Sequence, residues 1–135
     1  TAMFSTVDHI AFAVRDIEEA IAFYSKMFDV TDWERTPMPE RHQIAASAHV
    51  GGFMLELIAP TSEEAAFAKY LRERGPGMHH VAYRVENIEA ALAEVKARGV
   101  QPIDEVARPG LHNHLVAFLH PKSTMGVLIE LVQHQ

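Results

Sequence analysis

Along residues 7–14 the chain alternates. Val7, His9, Ala11 and Ala13 fall on one side of an extended segment and Ile10, Phe12 and Val14 on the other, the two-residue period of a half-buried strand. The period then changes: Ile17, Ala20, Ile21 and Tyr24 recur at helical spacing behind Asp16, a good N-cap, with Glu18 and Glu19 in the first turn, where the helix dipole favours acids. This helix should end near Phe28. Strands are expected at 32–36, 43–50 and 53–60, the last two joined by a turn at Gly51-Gly52. SEEAAFAKYLRERG (62–75) reads as a linking helix capped by Ser62, packed through Phe67, Tyr70 and Leu71, and stopped by Gly75-Pro76-Gly77.

The same pattern then recurs. HVAYRVENIEAALA (80–93) overlays HIAFAVRDIEEAIA (9–22), with His, Ala, Val, Ile, Glu, Ala and Ala coinciding, and IELVQH (129–134) echoes LELIAP (55–60), with Glu130 over Glu56. In the second copy MHHVAYRV is the strand, Asn87 the cap, Ile88, Ala91, Leu92 and Val95 the buried stripe, and Gly99 the close of the helix. Its remaining strands are expected near 101–105, 114–119 and 126–133. The fold class that follows is α+β. Two tandem βαβββ modules (about 7–60 and 78–133), joined by the linking helix (about 62–75), would form a shared, partly open barrel-like sheet with helices outside, all within one domain of residues 1–135.

Composition narrows the function. A formal net charge of −6 with no Lys/Arg run argues against a nucleic-acid partner, which needs a basic footprint. No apolar segment is long enough for a bilayer, and TAMFSTVDHI enters a strand pattern rather than a signal-peptide core, so a soluble, cytoplasmic protein is the default expectation. The chain has no cysteine, which leaves His, carboxylate and amide groups as its only metal ligands.

Strand parity selects four of these. His9 sits with small neighbours opposite the bulky Ile10, Phe12 and Val14, and in the second copy Val81, Tyr83 and Val85 put His80, not His79, on the matching face. His79 reads as a strand-edge or hydrogen-bonding neighbour. Glu56 lies in the middle of FMLELIA and Glu130 in VLIELV, where burying an unpartnered carboxylate is costly. A divalent cation bound by His9, Glu56, His80 and Glu130 removes that cost for both carboxylates. Two nitrogens and two oxygens suit an open octahedral site with two cis positions for water or substrate, and Co, Ni, Mn, Zn, Fe and Mg all fit such a set.

With VDHIAFAV, ELIAP, GMHHVAYRV and IELV, the chain from about Val7 to Val132 resembles the vicinal oxygen chelate superfamily, which includes glyoxalases, bleomycin resistance proteins and dioxygenases. Pro39-Glu40, AKYLRERGPGMHHVAYRVENIEAAL and VAFLHPKSTMGVLIEL are similar to the methylmalonyl-CoA epimerase family within it; HPKSTMG differs from the DPDG-like turn of the glyoxalase I branch. The resemblance implies the same four metal ligands, cobalt as the favoured ion, a homodimer, and an acyl-CoA substrate whose (R) and (S) forms interconvert through an enediolate, with Glu130 as one base. Where some members carry a second carboxylate base this chain has Ala45, and LHNH (111–114) replaces a Gly-rich loop. His112, His114, Gln43 or a water on the metal are left as candidates for the second proton carrier. Lys122, Ser123, His112 and His114 are candidate substrate contacts, and Arg84 a partner for a substrate carboxylate or a neighbouring acid. Competing readings are a glyoxalase-like lyase or isomerase, an extradiol-type dioxygenase, and a metal-free drug-binding resistance protein, which has no use for two buried carboxylates.

Overall fold

The structure, a computed structural model, describes residues 2–135. Its elements in chain order are β1 (Thr6–Ala13), α1 (Ile17–Phe28), β2 (Glu34–Met38), β3 (Gln43–Val50), β4 (Phe53–Pro60), α2 (Ala68–Arg74), β5 (Gly77–Arg84), α3 (Ile88–Ala97), β6 (Arg108–Pro109), β7 (Leu115–Leu119) and β8 (Ile129–Gln133). Leaving α2 aside, the order β-α-β-β-β occurs twice. The hydrogen-bonded order repeats as well, β1-β4-β3-β2 in the first copy and β5-β8-β7-β6 in the second. The class is α+β, and the duplication read from the sequence is a duplication of topology. β5 pairs with β8 in parallel, whereas β2–β3, β3–β4, β6–β7 and β7–β8 are antiparallel.

The chain forms two compact units whose boundaries fall inside β1 and β5. One is Ile10–His79; the other joins the residues up to His9 with His80–Gln135. In the Ile10–His79 unit, α1 buries Ile17 and Ile21 against Ala46, Leu57 and Ala59, with Phe12 and Val14 of the β1 segment packed beside them. The Asp16 side chain accepts a hydrogen bond from the Glu19 N–H at 2.9 Å, as its N-cap position requires. Residues of the other parity on β3 and β4 turn away from α1, among them Ser47 and Glu56, which are register partners.

In the second unit, α3 buries Ile88, Ala91, Leu92 and Val95 against Ala117, Leu119 and Leu131. Asn87 caps it by accepting from the Ala90 N–H at 2.9 Å. Gly99, at φ +94°, closes it: its N–H donates to the Lys96 carbonyl and that of Val100 to the Val95 carbonyl. The opposite face of the strands carries a separate apolar cluster of Ala82, Val116 and Val132. Helix on one face and functional side chains on the other is what the alternation in these strands dictates.

Four expected boundaries shift. The linking helix shortens to Ala68–Arg74, because Ser62 accepts from the Glu64 N–H at 3.1 Å and caps an isolated turn; Phe67 and Leu71 are buried, but Tyr70 is 60% exposed. β2 starts at Glu34, not Asp32, whose φ of 61° is left-handed and incompatible with a strand. The strand expected at 101–105 is absent: Pro102 makes one bridge to Leu119, and the Asp104 carboxylate takes the Phe118 N–H at 2.8 Å, so a side chain replaces the ladder there. Met125 and Gly126, at φ +60° and +86°, form a turn that delays β8 to Ile129.

Candidate metal centre

Three of the four expected ligands belong to the unit of His80–Gln135 and the residues up to His9. His9 comes from β1, His80 from β5 and Glu130 from β8, and His80 and Glu130 are only 5% and 6% exposed. The His9 Nε2 lies 3.1 Å from the His80 Nε2. Glu130 Oε1 is 2.9 Å from the first and 3.3 Å from the second. Burial alone would push the Glu130 carboxyl up, but the His80 and His9 rings against it hold it well below the ordinary carboxylate range, and it is ionised at neutral pH.

These three atoms are electron-rich and converge. Asp8 Oδ2 sits 2.7 Å from His9 Nδ1; an ionised carboxylate can only accept, so Nδ1 carries a proton, and in the neutral ring that a metal requires Nε2 carries the lone pair. That lone pair faces a carboxylate oxygen and a second imidazole nitrogen. Among the described residues, buried Glu130 Oε1 makes no hydrogen bond of acceptable geometry despite its two ring neighbours. A cation resolves all three. With metal–ligand bonds of about 2.1 Å, cis ligands of an octahedron are about 3.0 Å apart and those of a tetrahedron about 3.4 Å. Separations of 2.9, 3.1 and 3.3 Å lie close to the span between these two geometries. The donor set therefore fits a divalent ion.

A second layer of polar groups stands behind His9. Asp8 Oδ1 takes His134 Nε2 at 2.5 Å and Arg84 Nη2 at 3.2 Å. Burial opposes ionisation of Asp8, but its hydrogen bonds to His9, His134 and Arg84 outweigh it and keep the carboxyl far below its usual value. His134 stacks on His114, ring centres 3.8 Å apart and 6° from parallel. Phe118 packs edge-on to the His80 ring at 5.2 Å. Sequence reasoning missed Asp8, His134 and Phe118, since the acid directly before His9 gains its meaning only from the distant His134.

Glu56 lies in the Ile10–His79 unit, on β4, 7% exposed, with buried Ser47 opposite it on β3. Ser47 also went unnoticed, a small polar residue hidden in QIAASAHV. Ala45, on the Glu56 side of β3 by parity, is 1% exposed and carries no proton-moving group. The Gln43 amide donates to the Met38 sulfur at 3.6 Å, and His79 packs edge-on to Phe67 at 5.5 Å.

The candidate substrate contacts divide by exposure. Lys122 and His112 are exposed. The Ser123 hydroxyl accepts from the Gln101 N–H at 3.0 Å and donates to the His120 carbonyl at 3.1 Å. His114 is held below the usual imidazole range, first by burial and then by the charge of His134, and its buried Nδ1 has no hydrogen-bond partner among the described residues.

Residues 8–118 match the Glyoxalase/Bleomycin resistance protein/Dioxygenase superfamily. The chain belongs to that superfamily. Within it, the chain is 35% identical over 128 residues to the mitochondrial methylmalonyl-CoA epimerase of Homo sapiens, covering 94% of this chain and 73% of the human one. The crystal structure of methylmalonyl-CoA epimerase from Mycobacterium tuberculosis superposes with a TM-score of 0.92 at 33% identity, covering all of this chain and 91% of that one. A methylmalonyl-CoA epimerase in complex with methylmalonyl-CoA and NH4+ superposes with a TM-score of 0.90 at 29% identity, covering 96% and 94%. This chain carries its candidate centre on the first strands of the two repeats and on the last strand of the second; among the described residues no helix is long and apolar enough to cross a membrane.

Proposed function

We propose that this protein is a metal-dependent epimerase that interconverts the (R) and (S) forms of methylmalonyl-CoA, or of a closely related 2-substituted acyl-CoA, by moving the α-proton. The observation that carries the proposal is the convergence of His9 Nε2, His80 Nε2 and the unsatisfied Glu130 Oε1. Glu56 is proposed as the fourth ligand, because it repeats Glu130 in the first copy and is equally buried. Family resemblance favours cobalt as the ion and a cytoplasmic homodimer as the assembly. A divalent ion in this set would act as a Lewis acid toward the negative charge that develops on a thioester oxygen.

The chain supplies the rest. Glu130, ionised and buried, is the base that receives the α-proton; its carboxylate is low in pKa, so the transfer relies on the acidity of a hydrogen flanked by a thioester and a carboxylate. Inversion needs a proton carrier on the other face of the carbon, and Ala45 cannot serve. Lys122 and His112, exposed, are the proposed contacts to substrate carboxylate or phosphate, while the Ser123 hydroxyl holds the turn that presents Lys122 and His114 stacks on His134.

The test is α-proton washout. Cobalt-loaded protein is incubated with (S)-methylmalonyl-CoA in deuterated water and the α-proton followed by NMR, with appearance of the (R) form measured in parallel. Exchange with inversion is expected. Exchange no faster than in chelator-treated protein would rule the activity out, and turnover of a glutathione hemithioacetal instead would make the protein a glyoxalase.

A further inference from the structure

Resting on the metal reading above, we infer that Asp8 is a positioning residue for His9, and that Arg84 and His134 hold Asp8 in place. The geometry has two tiers. Asp8 Oδ2 receives the His9 Nδ1 proton at 2.7 Å, which fixes both the tautomer and the rotation of the ring and directs Nε2 at Glu130 Oε1. Asp8 Oδ1 is then occupied by His134 Nε2 at 2.5 Å and by Arg84 Nη2 at 3.2 Å.

A carboxylate bonded through one oxygen alone can rotate and tilt. One bonded through both is clamped. Side-chain exposure of Asp8 is 11%, so water offers little replacement for a lost donor. The clamp has further support of its own: His134 lies flat on His114, which fixes the plane of the donor ring, and Gln135, next in the chain, donates to the Asn113 carbonyl at 3.2 Å. The two donors come from the end of β5 and from the residues after β8. Arg84 lies four residues beyond His80 on β5, and His134 four beyond Glu130 on the β8 segment, so two ligand strands each carry a ligand and a clamp residue on the same parity.

Two readouts separate this inference from the metal reading itself. The first needs no metal: the ring ¹⁵N shifts of His9 in the metal-free protein. The Nδ1–H tautomer is expected in the wild type, and a mixture of tautomers in Asp8→Asn. The second is cobalt affinity by competition with a chromophoric chelator, together with the visible spectrum of the bound ion. Asp8→Asn should weaken binding about 10- to 100-fold. His134→Phe preserves the stack on His114 without the donor and should weaken it severalfold and change the spectrum, as should Arg84→Gln. His134→Gln restores an N–H and should recover most of the loss. An unchanged His9 tautomer in Asp8→Asn, or a His134→Phe protein with wild-type affinity and spectrum, would overturn the inference. A wild type that binds no cobalt while its His9 tautomer responds to Asp8→Asn would instead overturn the metal reading and leave the positioning role standing.

Discussion

At the scale of single residues, the centre is built from groups that are unfavourable where they stand. Glu130 is ionised and nearly sequestered from water, and its Oε1 lacks a well-formed hydrogen bond among the described residues. Glu130→Gln removes the proposed base and metal ligand but keeps the shape. It should reduce α-proton exchange by about 10²- to 10⁴-fold, as loss of a general base does. The melting temperature of the metal-free protein should fall only modestly at neutral pH, because the variant loses the favourable pairing of the carboxylate with the His80 and His9 rings but also the cost of burying a charge. Exchange rates by NMR and melting by circular dichroism check both halves. The same cost made Glu56 and Glu130 legible in the sequence, because a carboxylate amid apolar strand positions needs a reason. Asp8 was not legible: an acid beside a strand histidine is ordinary, and its meaning depends on His134, 126 residues away.

At the scale of elements, α1 and α3 read correctly because cap, apolar stripe and terminator agree, and the caps do form. Asn87→Ala should therefore destabilise the protein by about 1 kcal/mol, read as a lower urea midpoint with an unchanged slope. The segments that misread are those where a side chain or a left-handed residue overrides periodicity: Asp104 in place of a ladder partner, Ser62 capping a turn, Asp32 at φ 61°. The loop before β7 is a case of its own. Gly110 has no room for a side chain, since a Cβ there would meet Val116 Cγ1 at 2.7 Å, and the following His112 and Asn113 are both left-handed at φ 58° and 59°. Gly110→Ala must push Val116 aside or reshape the loop. A loss of about 1–3 kcal/mol is expected, with His112 and His114 resonances shifted in the same variant.

At the scale of the whole chain, duplication explains why the ligands are so far apart in sequence and so alike in setting. A first strand in each copy brings a histidine and a fourth strand brings a glutamate, as β1 and β5, β4 and β8 do. An ion that ties β1, β5 and β8 together binds the folded chain only. At about 100 times its dissociation constant it adds about 2.7 kcal/mol. Cobalt should thus raise the melting temperature by roughly 5–15 °C; chelator should reverse the rise, and His9→Ala should abolish it.

The centre itself is tested most directly by diffraction from crystals grown with cobalt, with data collected on both sides of the cobalt absorption edge. An anomalous peak is expected within about 2.0–2.2 Å of His9 Nε2, His80 Nε2 and Glu130 Oε1. Crystals of protein saturated with cobalt that show those three atoms hydrogen-bonded to one another, and no peak between them, would contradict a metal centre in this protein.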